Sequence, residues 1–291
     1  MHRYNAKEGL IFPQNIGSHI SIDETSLSHG ELYTVVTNKE AKGKKGTIIA
    51  ILNGTKSNTI IPILQQIPSG LRNKVKEITL DLASNMALIA KKSFPKAVQV
   101  IDRFHLQQLA TEALQEMRIK HRWRAIDQEN QGIEEARKNK SNYAVQELSN
   151  GDSLKQLLAR SRYLLYKSEH KWTWHQQERA TLLFEHYPDL QKAYQLSQQL
   201  SWIFNNTDDK LIAFNRLGKW GNQVEATEFK SFNSIVNTIN AHYDRILNYF
   251  DHRSTNASAE SFNSKIKAFR SQFRGVTDIN FFLFRLAKLF A

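Results

Sequence analysis

The sequence of 291 residues predicts an α/β fold in which a mixed β-sheet is interrupted by a long all-α segment. Strand-like and helix-like runs alternate ahead of His105, whereas strand patterns stop between His105 and about residue 250. In that later region Gln, Leu, Ala, Glu, Lys and Arg dominate, as in helices. The 41% hydrophobic and 10% aromatic residues are enough for a packed core, which argues against a disordered chain.

The first elements are three strands in a meander. HISIDETSL (19–27) is β-branched and alternates, and ELYTVVTNKE follows across the short segment SHG. The basic turn NKEAKGKKG then leads to GTIIAILNG, which has the pattern of a third strand.

The next elements alternate between helix and strand. A helix is predicted from Asn58 to about Gln66, closed by Pro68 and Gly70, and it is followed by the strand VKEITLDLAS. A helix over 85–93 and the strand AVQVID complete the series. This order predicts a mixed sheet, and the ribonuclease-H-like fold has it. The order alone leaves other α/β folds open.

The domain organisation follows from these patterns. We predict that residues 1–117 form the first part of the α/β domain and that residues 118–245 form an all-α insertion. Residues 246–291 would add two C-terminal helices that complete the α/β domain.

Charge and composition narrow the function. The 40 Lys and Arg against 28 Asp and Glu give a net charge of +12, which favours a polyanionic partner such as nucleic acid, although a merely basic enzyme is the alternative. The absence of cysteine excludes disulfides, zinc ribbons and thiol catalysis. No nucleotide-binding glycine motif and no HExxH is present. No signal peptide is visible, and the longest apolar stretch is broken by NGTKSN, so we expect a cytoplasmic protein without a membrane span.

Two aspartates interrupt β-forming runs. Asp23 lies in HISIDETSL and Asp81 in EITLDLAS, positions where Asp is disfavoured unless it caps a turn. If the first and fourth strands are neighbours, as in a ribonuclease-H-like sheet, these side chains project side by side. Paired carboxylates repel each other unless a cation neutralises them, and oxygen ligands suit Mg²⁺ or Mn²⁺.

A third carboxylate lies on an amphipathic helix within RSTNASAESFNSKIKAFR (253–270). Phe262, Ile266 and Phe269 form its apolar stripe, and Glu260 lies on the opposite face. If the stripe packs on the sheet, Glu260 turns towards the two aspartates. Three carboxylates could hold two ions, of which one activates a water or 3′-hydroxyl and the other stabilises the leaving oxygen in displacement at phosphorus.

Four motifs together resemble the DDE transposases of bacterial insertion sequences. They are SIDETS, TLDLASNM, VIDRFHLQQLATEAL and STNASAESFNSKIKAFRSQFRG, and the resemblance runs from about residue 17 to the end of the chain. It implies a ribonuclease-H-like catalytic domain with the triad Asp23, Asp81 and Glu260, two bound Mg²⁺ or Mn²⁺ ions, and the helical block as an insertion before the last acid. It further implies cleavage at terminal inverted repeats and joining to target DNA, in a bacterial, nucleoid-associated protein that assembles as a homodimer or higher oligomer.

Accessory residues lie beside the predicted triad. Asp102 competes with Asp81 as a ligand because both end strands, but the resemblance favours Asp81. Asp102 and His105 would then support the site or contact the scissile phosphate, or else form only a local helix cap. Asn256 and Asn263, one helical turn either side of Glu260, would orient it or bind a phosphate oxygen, with an N-cap as the alternative for Asn256.

Basic residues on or beyond the same helix would contact DNA phosphates, unless they are merely a solvated face. They are Lys265, Lys267, Arg270 and Arg274. The five tryptophans all fall in the helical block, and core packing is the predicted role for most of them.

One difference from the transposases that the sequence resembles concerns how the ends of the element are recognised. Its longer members carry an N-terminal zinc ribbon and helix-turn-helix, whereas only about 16 residues precede the first predicted strand in this sequence. We expect either a separate helix-turn-helix subunit or the basic insertion to recognise the ends. A ribonuclease-H-like, structure-selective nuclease and a non-catalytic DNA-binding transposase remnant are the alternative functions.

Overall fold

The structure is a computed structural model that describes residues 9–28, 31–273 and 278–291. Its strands are β1 (Gly9–Ile11), β2 (His19–Ser28), β3 (Glu31–Asn38), β4 (Ile48–Asn53), β5 (Glu77–Leu80) and β6 (Val98–Ile101). Its helices are α1 (Ser57–Gln65), α2 (Ser69–Arg72), α3 (Ser84–Ser93), α4 (Arg103–Lys138), α5 (Leu154–Arg160), α6 (Trp174–His186), α7 (Pro188–Asn205), α8 (Lys210–Glu225), α9 (Lys230–Ala241), α10 (Tyr243–Leu247), α11 (Tyr249–His252), α12 (Ala257–Gln272) and α13 (Ile279–Phe290).

The strands form one mixed sheet in the order β1-β4-β3-β2-β5-β6, counted over the described residues. β2 pairs antiparallel with β3 and parallel with β5, and β5 pairs parallel with β6. The predicted α/β class and mixed sheet are therefore confirmed, as is the meander followed by alternating helices and strands. β1 was not predicted, because a three-residue edge strand is too short to show an alternating pattern.

The two faces of the sheet are covered by different helices. α1 and α3 bury Leu64 and Ile89 against one face, where they meet Ile22 and Leu80. α12 and α13 cover the other face around Val35. Strand side chains alternate between the faces, so neighbouring residues such as Ile22 and Asp23 point to opposite faces of the sheet.

The chain divides into two compact units. One contains the described residues up to His105 together with His242–Ala291, and the other is Leu106–Ala241. The second unit is all-helical in its described secondary structure. None of the described helices is both long and apolar enough to cross a membrane.

The tryptophans correct one expectation. Trp220 is fully buried and donates its indole N–H to the Leu196 carbonyl at 2.9 Å. Trp123, Trp174 and Trp202 are instead exposed by 49–68%. Core packing of most tryptophans was therefore the wrong prediction, because composition does not reveal which face of a helix is covered.

Candidate active site

Strand register places three aspartates at one edge of the sheet. Ser21 pairs with Thr79, and Thr79 pairs with Val100, across the parallel strands β2, β5 and β6. Two residues further along the chain lie Asp23, within β2, and Asp81 and Asp102, which directly follow β5 and β6. The Asp102 backbone N–H donates to the Leu80 carbonyl at 3.0 Å, so the ladder continues to this level. Because side chains two residues apart share a face, the three carboxylates start from the same side of the sheet.

Helix α12 lies on that same face. Phe262 and Ile266 are fully buried in the core with Val35, the residue that pairs with Asp23, and Phe269 is partly buried there. The apolar stripe predicted for this helix is thus confirmed as its packing surface.

Asn263 connects this helix to the first aspartate. Its side-chain amide donates to Asp23 Oδ2 at 2.6 Å. Asn263 lies three residues after Glu260, so this bond fixes the rotation of the helix near the predicted third carboxylate.

Asp102 ties two helices to the end of β6. The residue is 1% exposed, and its Oδ1 accepts the Phe104 backbone N–H at 3.1 Å. Its Oδ2 accepts the Asn256 backbone N–H at 3.1 Å. The first N–H belongs to the opening turn of α4 and the second to the N-cap of α12, which carries Glu260. A carboxylate suits both places because helix N-termini present unsatisfied N–H groups.

The side chain of Asn256 does not form the helix cap that was one alternative. Asn256 occupies the N-cap position of α12, but its side chain makes no capping hydrogen bond. The residue is fully buried, and neither side-chain polar atom has a hydrogen-bond partner among the described residues. A buried amide without partners costs free energy, which its position beside the site would have to offset.

The tightest group of potential metal ligands differs from the predicted triad. One ligand atom each of Asp102, His105 and Glu260 lies within 4.8 Å of the others. Among the described residues, Asp23, Asp81 and Glu260 do not form such a group. The structure therefore brings Glu260 close to the accessory pair, and Asp23 and Asp81 remain adjacent to that group through the sheet.

The carboxylates on the sheet and the carboxylate of Glu260 on α12 affect one another's pKa values through their charges. Burial is the largest cause that raises the pKa of Asp23, from 3.8 to about 6. The Glu24 backbone N–H and the charge of His105 oppose that rise, whereas the charges of Asp81 and Glu260 add to it. Burial likewise raises the pKa of Glu260, followed by the charge of Asp102. The site thus concentrates partly buried negative charge that a cation would relieve, and its carboxylate oxygens suit Mg²⁺ or Mn²⁺.

A buried ion pair that the sequence analysis missed lies on the same face of the sheet. Lys39 Nζ lies 3.7 Å from Glu77 Oε1 and donates to Thr79 Oγ1 at 2.8 Å. The Glu77 side chain is 3% exposed and that of Lys39 is 15% exposed. Asp102 also acts on Lys39, since its charge opposes the lowering of the Lys39 pKa by burial. The period-two run of Glu77, Thr79 and Asp81 was the available sequence signal.

Glu24 is a second residue that the sequence analysis passed over. Its side chain accepts a hydrogen bond from Asn85 at 3.4 Å, and Asn85 also donates to the Thr55 carbonyl at 3.1 Å. Burial raises the pKa of Glu24, with a smaller contribution from the charge of Asp81. Its position directly after Asp23 could have indicated an additional acid at this edge.

The basic residues predicted to contact DNA are placed differently from one another. Lys265 Nζ donates to the Gly43 carbonyl at 3.2 Å, and the Arg270 guanidinium lies 5.2 Å from the Phe282 ring centroid. Lys267 is exposed. Arg274 lies outside the described residues.

Comparisons with known proteins agree with this geometry at the level of the family. A protein-family model described as a transposase, of the DDE type, matches residues 20–286. The transposase of insertion sequence element IS1001 from Bordetella parapertussis is 21% identical over 275 residues, which cover 94% of this chain. The chain spans 61% of the length of that relative. No solved structure matches the chain.

Proposed function

We propose that this chain, which belongs to the DDE transposase family of bacterial insertion sequences, cuts DNA at the ends of its own element and joins the freed 3′-hydroxyl to target DNA. The observation that carries the proposal is the convergence on one sheet edge of Asp23, Asp81 and Asp102 beneath the helix of Glu260. A site that gathers carboxylates on a basic protein suits metal-dependent phosphoryl transfer on a polyanion.

The fold that this function implies is ribonuclease-H-like. The order β4-β3-β2-β5-β6, with β2 in the middle and parallel to β5, supports that assignment. The extra strand β1 lies at the edge beside β4. In this proposal residues 118–245 are an insertion, and residues 246–291 return to complete the catalytic domain.

Asp23, Asp81 and Glu260 would hold two divalent cations, Mg²⁺ or Mn²⁺. When bound, these ions would activate the attacking water or 3′-hydroxyl and neutralise charge on the phosphate oxygens. Asn263 holds the Asp23 carboxylate through its 2.6 Å hydrogen bond. Asp102 positions Glu260 by fixing the first turn of α12.

His105 has the position of a residue that acts on substrate or ligand. Its ring lies in the group with Asp102 and Glu260 and on the first turn of α4. An imidazole there would donate to a scissile phosphate oxygen, or it would join Glu260 in holding a cation.

DNA binding outside the site would use backbone phosphates. Lys265, Lys267, Arg270 and Arg274 would place the duplex without reading its sequence. The partners would be the terminal inverted repeats and target DNA, within a homodimer or larger synaptic complex. A separate helix-turn-helix subunit would supply end recognition if the basic insertion does not.

The decisive experiment measures metal-dependent nicking of a plasmid that carries the DNA flanking the coding region. Asp23→Asn, Asp81→Asn and Glu260→Gln should each lower the nicking rate by more than about 100-fold, since even supporting residues of metal sites typically contribute 10–100-fold. DNA binding should remain measurable. The exposed Asp127→Asn is the matched control and should cleave like the parent chain.

Two outcomes would replace this function. Cleavage without joining of a precut 3′-end in a strand-transfer assay would indicate the structure-selective nuclease. DNA binding without any nicking in Mg²⁺ or Mn²⁺ would indicate the non-catalytic remnant. If Asp102→Asn abolished nicking while Asp81→Asn did not, the assignment of the second ligand would be wrong.

A further inference from the structure

A buried arginine organises part of the helical unit. Arg118, on α4, is 5% exposed, and its Nε donates to Gln115 Oε1 at 2.6 Å. Its Nη1 donates to the Leu158 carbonyl at 2.8 Å. Gln115 in turn donates to the Arg162 carbonyl at 3.2 Å. The stretch that ends α5 is thereby tied to the side of α4.

This attachment brings three arginines together. Arg122 lies one helical turn after Arg118 on α4, and Arg162 lies on the attached stretch. Burial is the largest cause that lowers the pKa of Arg118, and the charges of Arg122 and Arg162 lower it further. The charges of Arg122 and Arg162 therefore both act on the buried guanidinium of Arg118.

In the part of the chain that the structure describes, no acidic side chain forms an ion pair with this arginine cluster (Arg118, Arg122 and Arg162). Across the described residues, none of the three has a carboxylate oxygen within 4.0 Å. Asp152, an acid of the same unit, is paired elsewhere, with Arg160 and Arg179. Like charges that lack a counter-charge repel one another and destabilise a fold. An anionic ligand bound at the arginine cluster would relieve this repulsion.

The surroundings of the cluster favour nucleic acid over a small anion. The Arg162 guanidinium lies 5.5 Å from the Tyr163 ring centroid, and Tyr163 is 67% exposed. Guanidinium groups bind phosphate oxygens in bidentate geometry, and an exposed ring beside one of them offers a surface for a sugar or base.

We infer that the arginine cluster binds the phosphate backbone of DNA, as a site separate in sequence from the carboxylate edge. The inference rests on the proposed function in taking DNA as the ligand, but it does not depend on cleavage. Arg122 and Arg162 would contact phosphates from the exposed surface. Arg118 would hold the two elements together and add its charge.

The test uses the full chain and a fluorescein-labelled DNA duplex of arbitrary sequence, because phosphate contacts do not read bases. Binding is followed by fluorescence anisotropy over a series of salt concentrations, with EDTA present so that no cleavage occurs. The variant is Arg122→Gln/Arg162→Gln. The matched control is Arg137→Gln/Lys138→Gln, two exposed basic residues in the last turn of α4.

Each lost phosphate contact should reduce the slope of log K against log[salt] by about 1, so the variant should lose about 2 relative to its control. At moderate salt, the affinity of this variant for the duplex should be roughly tenfold lower than the affinity of the control variant. Equal slopes for the two double variants would overturn the inference. Nicking in Mg²⁺ reports separately on the proposed function, which would stand even then.

A second measurement needs no variant. Photo-crosslinking of the parent chain to the same duplex, followed by peptide mapping, should give crosslinks within residues 118–124 and 160–166. Crosslinks confined to other segments would contradict the inference, even if the double variant failed to fold.

Discussion

The two faces of the sheet use the same strands for different purposes. Beneath α1 and α3 the side chains are apolar, as with Ile22 and Leu80. Their neighbours Asp23 and Asp81 belong to the face beneath α12, where an apolar core borders a set of acids. The alternation of strand side chains lets one face provide stability while the other keeps charged groups in place. A strand can therefore carry acids on one face while its apolar side chains on the other face are buried in a core.

The largest expected effect comes from matched truncations on the two faces. Phe262→Ala on α12 and Leu64→Ala on α1 each remove a fully buried side chain and should lower the free energy of unfolding by about 3–5 and 2–5 kcal/mol. Only Phe262→Ala should also slow nicking by folded protein, because Phe262 fixes the helix that carries Glu260. Urea denaturation and nicking rates, measured where both variants are folded, check this. Equal loss of activity in the two variants would show that the faces are not functionally distinct.

The ion pair of Lys39 and Glu77 is a second difference between the two faces, because it is buried on the face that carries Asp23 and Asp81. Lys39→Met leaves Glu77 buried without its cation and should lower the free energy of unfolding by about 3 kcal/mol. Lys39→Met/Glu77→Met removes both charges and should recover most of that loss, since apolar replacement of a buried pair is often neutral. Denaturant titration of both variants gives the comparison. If the double variant were less stable than the single one, the pair would be a net source of stability.

The pH dependence of stability should also separate the faces. The raised pKa of Asp23 favours the folded state below pH 3.8, and this contribution is lost as the pH rises through about 6. At about 1.4 kcal/mol per pKa unit, Asp23→Asn should therefore stabilise the metal-free protein by about 2–3 kcal/mol above pH 7 and very little near pH 4. Thermal unfolding with EDTA between pH 4 and 8 measures this difference.

Mg²⁺ serves as the control for that prediction. The ion should raise the Tm of the parent chain at pH 7.5 more than that of Asp23→Asn, because it would bind the ionised carboxylate. An identical Mg²⁺ response in both proteins would remove Asp23 from the set of ligands.

The smallest expected effects on stability come from substituting two aspartates that cap helices. Asp102 accepts N–H groups of α4 and α12, and Asp278 accepts those of Asn280 and Phe281 in α13. Alanine at either position should cost about 1–2 kcal/mol of stability. Asp102→Ala alone should slow nicking by 10–100-fold, because it releases the Glu260 helix beside the proposed metals.

A more conservative substitution of Asp102 then tests whether this residue positions Glu260 or binds a metal ion. Asp102→Asn keeps one side-chain oxygen for the Asn256 N–H, so it should restore part of the nicking that Asp102→Ala loses. If Asp102→Asn were as inactive as Asp102→Ala, Asp102 would be better assigned as a metal ligand than as a positioning residue.

Local pattern was enough to predict most of the fold. The strands from β2 onward and helices α1, α3 and α12 follow from alternation, helical periodicity and turn residues, which are properties of neighbouring residues. The apolar stripe of α12 could be predicted with its packing face. β1 could not, because three residues are too few to show an alternating pattern. The exposure of Trp123 could not, because it depends on what a distant part of the chain covers.

The sequence by itself determined which residues carry charge on which strand or helix, and hence that Asp23, Asp81 and Glu260 are candidates for one site. Only the tertiary structure decided that Glu260 lies within ligand distance of Asp102 and His105, since that proximity depends on where the N-terminus of α12 is anchored. It likewise decided that Lys39 lies against Glu77 and that the segment of Arg162 is attached to α4 through Gln115 and Arg118. Local pattern fixes the direction of a side chain within its element, whereas long-range packing fixes which side chains meet.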